Sequence, residues 1–321
     1  MSETLNGSLK TLTGAGHLHR QIGIFALFTI VAGYLAHGAL SGLVSIGGVL
    51  GYGPVERFVH IDAGHDSDYY SHILLIPFVT AYFLALDRRS ILQEARYSYL
   101  GLGVAACGLL LYGAAQTLKG WLGQNDFASV AVASALMFWW GGFLLAFGSR
   151  AFGIARFPLL FMLFAIPVPL FLMDSFIYIL QVASTEVTEW LFQLTGTDYI
   201  RNGFVYRLPN ITVQVAKECS GIRSSIALII TGVLAGHLFL RTGWRKFVLV
   251  AAMLPFTVLK NGVRIVTLCL LAIYVDPKFI TDSFLHHSGG FVFYLPALGL
   301  LALLLWWFRK AERRDNVNRQ P

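Results

Sequence analysis

Three polar clusters in an otherwise apolar chain carry the residue types that acyl chemistry needs. AKECSGIRSSI at 216–226 holds Glu218, Cys219 and Arg223 at the lip of an apolar run. LKNGVRIVTL holds Lys260, Asn261 and Arg264, and FLHHSGGFVFYLP holds the adjacent His286 and His287. A thiolate attacks a carbonyl, an imidazole moves protons and a cation stabilises the developing oxyanion. A helix N-terminus beside Cys219, with Arg264 or Arg223, favours the thiolate, whereas burial and Glu218 oppose it. The balance between these is left open by the sequence.

Each residue also has a plainer reading. Glu218 can form an ion pair with Arg223 or Arg264, and Arg223 can meet substrate or a lipid headgroup. Asn261 either orients Arg264 or packs against a neighbouring helix through hydrogen bonds, the second being the simpler. Lys260 is expected to snorkel or to meet an acidic group. His72, close to Tyr69 and Tyr70, suits interface anchoring as well as chemistry. A zinc site from Cys219, His286 and His287 lacks a fourth ligand and asks two adjacent histidines to aim at one ion. The other cysteines, Cys107 and Cys269, lie in apolar runs without C-x-x-C spacing, so no disulfide framework is expected. No G-x-S-x-G, HExxH or P-loop motif is present.

The elements that must position these groups are membrane helices. Of 321 residues, 56% are hydrophobic and only 13% charged, with a mean hydropathy of +0.65. A soluble domain usually carries about a quarter charged residues, and open sheets are excluded from lipid by their unpaired backbone groups. The expected fold is all-α, a polytopic bundle of about eight spans near 21–40, 71–86, 98–117, 129–147, 157–173, 222–240, 247–274 and 289–308. The first is not read as a cleaved signal peptide. The amphipathic stretch 174–195, interrupted by Asp174, Glu186 and Glu189, is expected along the interface or as a re-entrant helix. Within 196–218, the runs FVYRL and ITVQV beside Asn202-Gly203 and Pro209-Asn210 predict a small β-rich cap.

The net charge of +7 is explained by loops, not by nucleic acid, for which no basic-aromatic module exists. With the N-terminus inside, fifteen basic residues fall on the cytoplasmic side and six outside, which sets the orientation. Both termini then face the cytoplasm: residues 1–20 form a cytoplasmic N-terminal segment, 21–308 the transmembrane domain and 309–321 a basic tail. Cys219, Arg264 and His286 converge towards the outer face. Ionisable groups at such depth are costly and mark function.

The ordered stretches ECSGIRS, NGVR and H-x-x-x-G-F-x-F resemble the three blocks of the exosortase/archaeosortase family, over roughly 70–308. DYYSHILLIP around His72 resembles that family's early segment. The resemblance implies a membrane cysteine transpeptidase that processes PEP-CTERM-like C-terminal sorting signals, with no cofactor. The block residues fall on Cys219, Arg264 and His286; spacing to Gly290 favours His286, while His287 stays possible. Phe291 stands where many relatives have Trp, and the extra soluble domain fused to some members is not expected here. Expected partners are the sorting-signal helix of an exported protein, membrane lipid and an acyl acceptor that the sequence does not identify. The expected membrane is a bacterial inner or archaeal cytoplasmic one. A rival reading is a transporter or flippase for envelope polysaccharide precursors, with Lys260 and Arg264 neutralising acidic groups.

Overall fold

A computed structural model describes residues 2–41, 72–215, 222–281 and 292–317. They divide into two compact units, Met1–Leu170 and Phe171–Pro321.

The first unit holds α1 (Ser2–Leu40), α2 (Leu75–Leu86), α3 (Arg88–Gln93), α4 (Leu100–Leu118), α5 (Gln124–Ile154) and α6 (Arg156–Phe161). Its core is aromatic. Phe25 on α1 sets its ring 5.3–5.4 Å from those of Trp139, Phe143 and Phe147 on α5, and Trp139 Nε1 donates to Thr29 Oγ1 at 3.0 Å. Small residues let α4 and α5 touch backbone to backbone: a Cβ on Gly141 would lie 2.4 Å from the Ala105 nitrogen. Such close approach is how helices associate where lipid removes the hydrophobic drive.

The stretch 157–173 does not form the single helix expected. It runs as α6, a 3₁₀ turn over Met162–Ala165, and then a break. Ile166 is extended at φ −78°, ψ 122°, because the ring of Pro167 excludes the helical conformation from the residue before it. Helix α7 (Leu170–Thr195) begins after Pro169. Its first N–H groups have no partner within the helix; Asp126 Oδ1 accepts from Leu170 N at 2.7 Å, and Asn125 Nδ2 donates to Val168 O at 2.8 Å. Residues 174–195 therefore belong to one continuous 26-residue helix.

The second unit continues with β1 (Ile200–Asn202), β2 (Val205–Arg207), β3 (Thr212–Gln214), α8 (Ile222–Phe239), α9 (Gly243–Ala251), α10 (Met253–Tyr274), α11 (Lys278–Thr281) and α12 (Tyr294–Val317). The expected run 247–274 is divided at Ala252, since Pro255 cannot donate to the carbonyl four residues back. The three strands form one antiparallel sheet in the order β1-β2-β3. Gly203, at φ 62°, opens the two-residue hairpin, and Leu208 N donates to Ile211 O at 2.8 Å across Pro209-Asn210.

The sheet is fastened to α7. Arg201 pairs with both Glu186 and Glu189, and those hydrogen bonds, Glu186 first, hold its guanidinium above the ordinary range. Tyr206 is fully buried and donates to Thr185 O at 2.7 Å; burial pushes its phenol well up. Tyr206, Phe192, Leu208 and Val215 form one apolar cluster with Ile265, Val266 and Cys269 of α10. A second cluster joins α8, α9, α10 and α12 through Leu228, Leu249, Met253, Leu301 and Phe308. At the end of α12, Glu312 accepts from the backbone nitrogens of Arg241 and Thr242, at 2.8–3.2 Å, at the start of α9. Arg245 bridges Glu312 and Asp315.

Among the described residues, five helical segments are long and apolar enough to cross a membrane: His17–Leu40, Leu100–Thr117, Gln124–Ile154, Leu170–Thr195 and Gly243–Tyr274. His72–Leu86, Arg156–Ala165 and Ser224–Phe239 are shorter apolar helices.

Candidate active site

The second unit is apolar outside and polar along one internal seam. On α7, Gln181, Ser184, Thr185 and Thr188 recur at the i, i+3, i+4, i+7 spacing that lines one helix face, and all four are buried. On α10, Thr257, Lys260, Asn261 and Arg264 repeat the same spacing. Thr257, Lys260 and Asn261 are buried and Arg264 is half-buried.

Two contacts lock the helices along this seam. Asn261 Nδ2 donates to Ser184 Oγ at 3.0 Å, the helix-packing role expected of it. Beside it, Gly262 sits against α7 so closely that a Cβ there would meet Val187 Cγ1 at 2.6 Å. The third helix joins through its first turn, where Lys260 Nζ donates to Ser224 Oγ. Ser225 beside it is fully buried. Lys260 is thus neither snorkelling nor, among the described residues, matched to a carboxylate; the residue is 8% exposed and its ammonium is bonded to a hydroxyl.

The sheet returns the chain to the same seam. Val215, the residue after β3, offers its carbonyl to Gln181 Nε2 at 2.5 Å. Val215, ahead of the ECSGIRS stretch, is therefore held by α7 at Gln181, and Ser224, its last residue, by α10 at Lys260.

Of the residues singled out from sequence, Arg264 and Asn261 stand in this seam. Arg223 lies in the first turn of α8. His72 is in the first unit, half-buried in a 3₁₀ turn before α2. Glu218, Cys219, His286 and His287 lie outside the described residues. Cys107 is exposed on α4 and Cys269 buried on α10. Among the described residues no group of three or more His, Cys, Asp or Glu is placed to hold a metal.

A sequence model of the family described as transmembrane exosortase (Exosortase_EpsH) matches residues 64–306. The chain belongs to that family. Neither curated proteins nor solved structures yield a match. As a transmembrane exosortase it is a membrane protein, and membership is consistent with the processing of sorting signals. The matched stretch takes in ECSGIRS, NGVR and the His286-His287 pair.

Sequence reasoning missed the seam partners Gln181, Ser184, Thr185, Thr188, Ser224 and Ser225. The signal was present: the polar positions of 181–188 have the same helical spacing as those of 257–264.

Proposed function

We propose that this exosortase is a membrane cysteine peptidase/transpeptidase that cleaves C-terminal sorting signals of exported proteins through a thioester. The observation that carries the reading is the seam just described. It joins Arg264, Lys260 and Asn261 to the first turn of the helix that follows Cys219, inside a family match that covers all three polar blocks.

The substrate's apolar C-terminal helix docks laterally from lipid and presents its scissile peptide to Cys219. The thiolate sulfur attacks the carbonyl carbon, and charge gathers on the carbonyl oxygen. Arg264 stabilises that oxyanion, assisted by Arg223. His286, with His287 as the alternative, takes the thiol proton and returns it to the departing amine. An acyl-thioester remains, which water resolves in a protease and another amine or a hydroxyl resolves in a transpeptidase. In this reading the chain crosses eight times, with the sheet and the three blocks facing outward and both termini facing the cytoplasm of a bacterial inner or archaeal membrane.

The test uses a fluorescent-protein fusion ending in a sorting segment from the same genome: a short motif, an apolar stretch and an Arg-rich tail. Cys219→Ala lowers its cleavage in membranes by about four orders of magnitude or more, the scale of losing a nucleophile. Undiminished cleavage refutes the assignment.

A further inference from the structure

Among the described residues of its unit, Lys260 differs from the other well-buried cation. Arg245 meets carboxylates, whereas Lys260 ends on the hydroxyl of Ser224, with no carboxylate partner among the described residues. Burying an ammonium without a counter-charge is unfavourable, so this placement is not explained by stability alone. The same turn of α10 is fixed on its other side, by Asn261 on Ser184 and by Gly262 against Val187. Lys260 and Arg264 lie four residues apart on one face of the helix.

We infer that Lys260 is a positioning residue for the cysteine-bearing stretch, acting through Ser224. Ser224 closes the ECSGIRS block. Held by Lys260, it sets the start of α8 at a fixed register against the turn that carries Arg264. The guanidinium and the nucleophile are then aligned before substrate arrives. This rests on Cys219 being the nucleophile. The amine touches no reacting atom in this role; it orders the chain that carries one. Preformed alignment of this kind is worth about a hundredfold in rate for a misplacement of about 1 Å.

The experiment measures kcat and KM for the sorting-segment fusion in the full-length protein in membranes, with Lys260→Met, Lys260→Arg, Ser224→Ala and the Lys260→Met/Ser224→Ala double variant. Folded protein is quantified by size exclusion in detergent. The expected result is a fall of about tenfold to a hundredfold in kcat for Lys260→Met and for Ser224→Ala, with KM within about twofold. Lys260→Arg recovers most of kcat, and the double variant is no worse than either single one, since both remove one interaction. Unchanged kcat per folded molecule in Lys260→Met, a loss confined to KM, or strictly multiplicative losses in the double variant overturns the inference. Should Lys260→Met not fold, Ser224→Ala and Lys260→Arg decide by the same kcat criterion. Failure of the parent reading is a separate result, since it appears as cleavage by Cys219→Ala.

Discussion

Gly262→Ala is the sharpest probe of the seam. A Cβ at this position lies 2.6 Å from Val187 Cγ1 and 3.2 Å from Val187 Cβ, where ordinary contact begins at 3.4 Å. The first gap is about 0.8 Å too short. Val187 is β-branched, and a helix leaves such a side chain essentially one χ1 rotamer, so it cannot swing clear and the helices must part. Overpacking of this size costs about 1–3 kcal/mol. Replacing glycine within a helix returns about 1 kcal/mol. Parting also stretches the 3.0 Å Asn261–Ser184 bond beside it towards the limit of hydrogen bonding, worth roughly 0.6 kcal/mol between membrane helices. The net expectation is a destabilisation of about 1–2 kcal/mol, read as a lower Tm in detergent. Cleavage of the sorting-segment fusion falls by more than the loss of folded protein explains, because the turn bearing Lys260 and Arg264 moves with Gly262. Gly113→Ala on α4, where a Cβ meets nothing within 4 Å, is the control and leaves both quantities unchanged or slightly improved. A Gly262→Ala protein with ordinary Tm and turnover would refute the close-packed seam.

Glu312 links stability to pH. Burial, which disfavours its charge, is outweighed by hydrogen bonds at Thr242 and Arg241 and by the nearby Arg245, so its carboxyl is held below the ordinary value of 4.5. A depressed carboxyl adds stability above the unfolded value and loses it as pH falls through the folded one. The Tm of the wild type is therefore insensitive to this group above about pH 5 and drops below pH 4.5, whereas Glu312→Gln is lower by about 1–2 kcal/mol at neutral pH and flatter in acid. A Glu312→Gln melting curve that follows the wild type at both pH values would contradict the capping role. Tyr206→Phe removes only the 2.7 Å bond to Thr185 O, a carbonyl that keeps its place in the hydrogen bonding of helix α7. Losing that bond costs about 1 kcal/mol, measured by thermal melting, and an unchanged Tm would show that the sheet does not depend on it.

The helical, membrane-spanning character was readable from composition, and the departures of individual runs have physical causes. Hydropathy joined 157–173 into one span because it weighs side chains and ignores the backbone; Pro167 and Pro169 divide the run regardless of how apolar it is. The same reasoning took Asp174, Glu186 and Glu189 as interruptions of 174–195, where the structure has one continuous helix, and the two glutamates have a reason to be there. Their partner is Arg201, a neighbour only after the chain has turned through Gly196 and into β1. The turn signals at Asn202-Gly203 and Pro209-Asn210 located the sheet, but strand Ile200–Asn202 is too short to show alternation. At the site, Asn261 behaves as its helical surroundings suggested. Lys260 does not, because its position near mid-helix keeps the amine from reaching water and Ser224 supplies a hydroxyl instead.

The sheet also marks where this protein has freedom to change. Its fastenings to α7, through Arg201, Tyr206 and Val215, all lie away from the bend at Pro209-Asn210, whose two residues are exposed. Extra loop length at that bend stays outside the packed cluster and adds only a slowly growing closure entropy. That bend is accordingly the natural point to graft an epitope or a spectroscopic label, and the point where related chains can diverge in length while their chemistry is left alone.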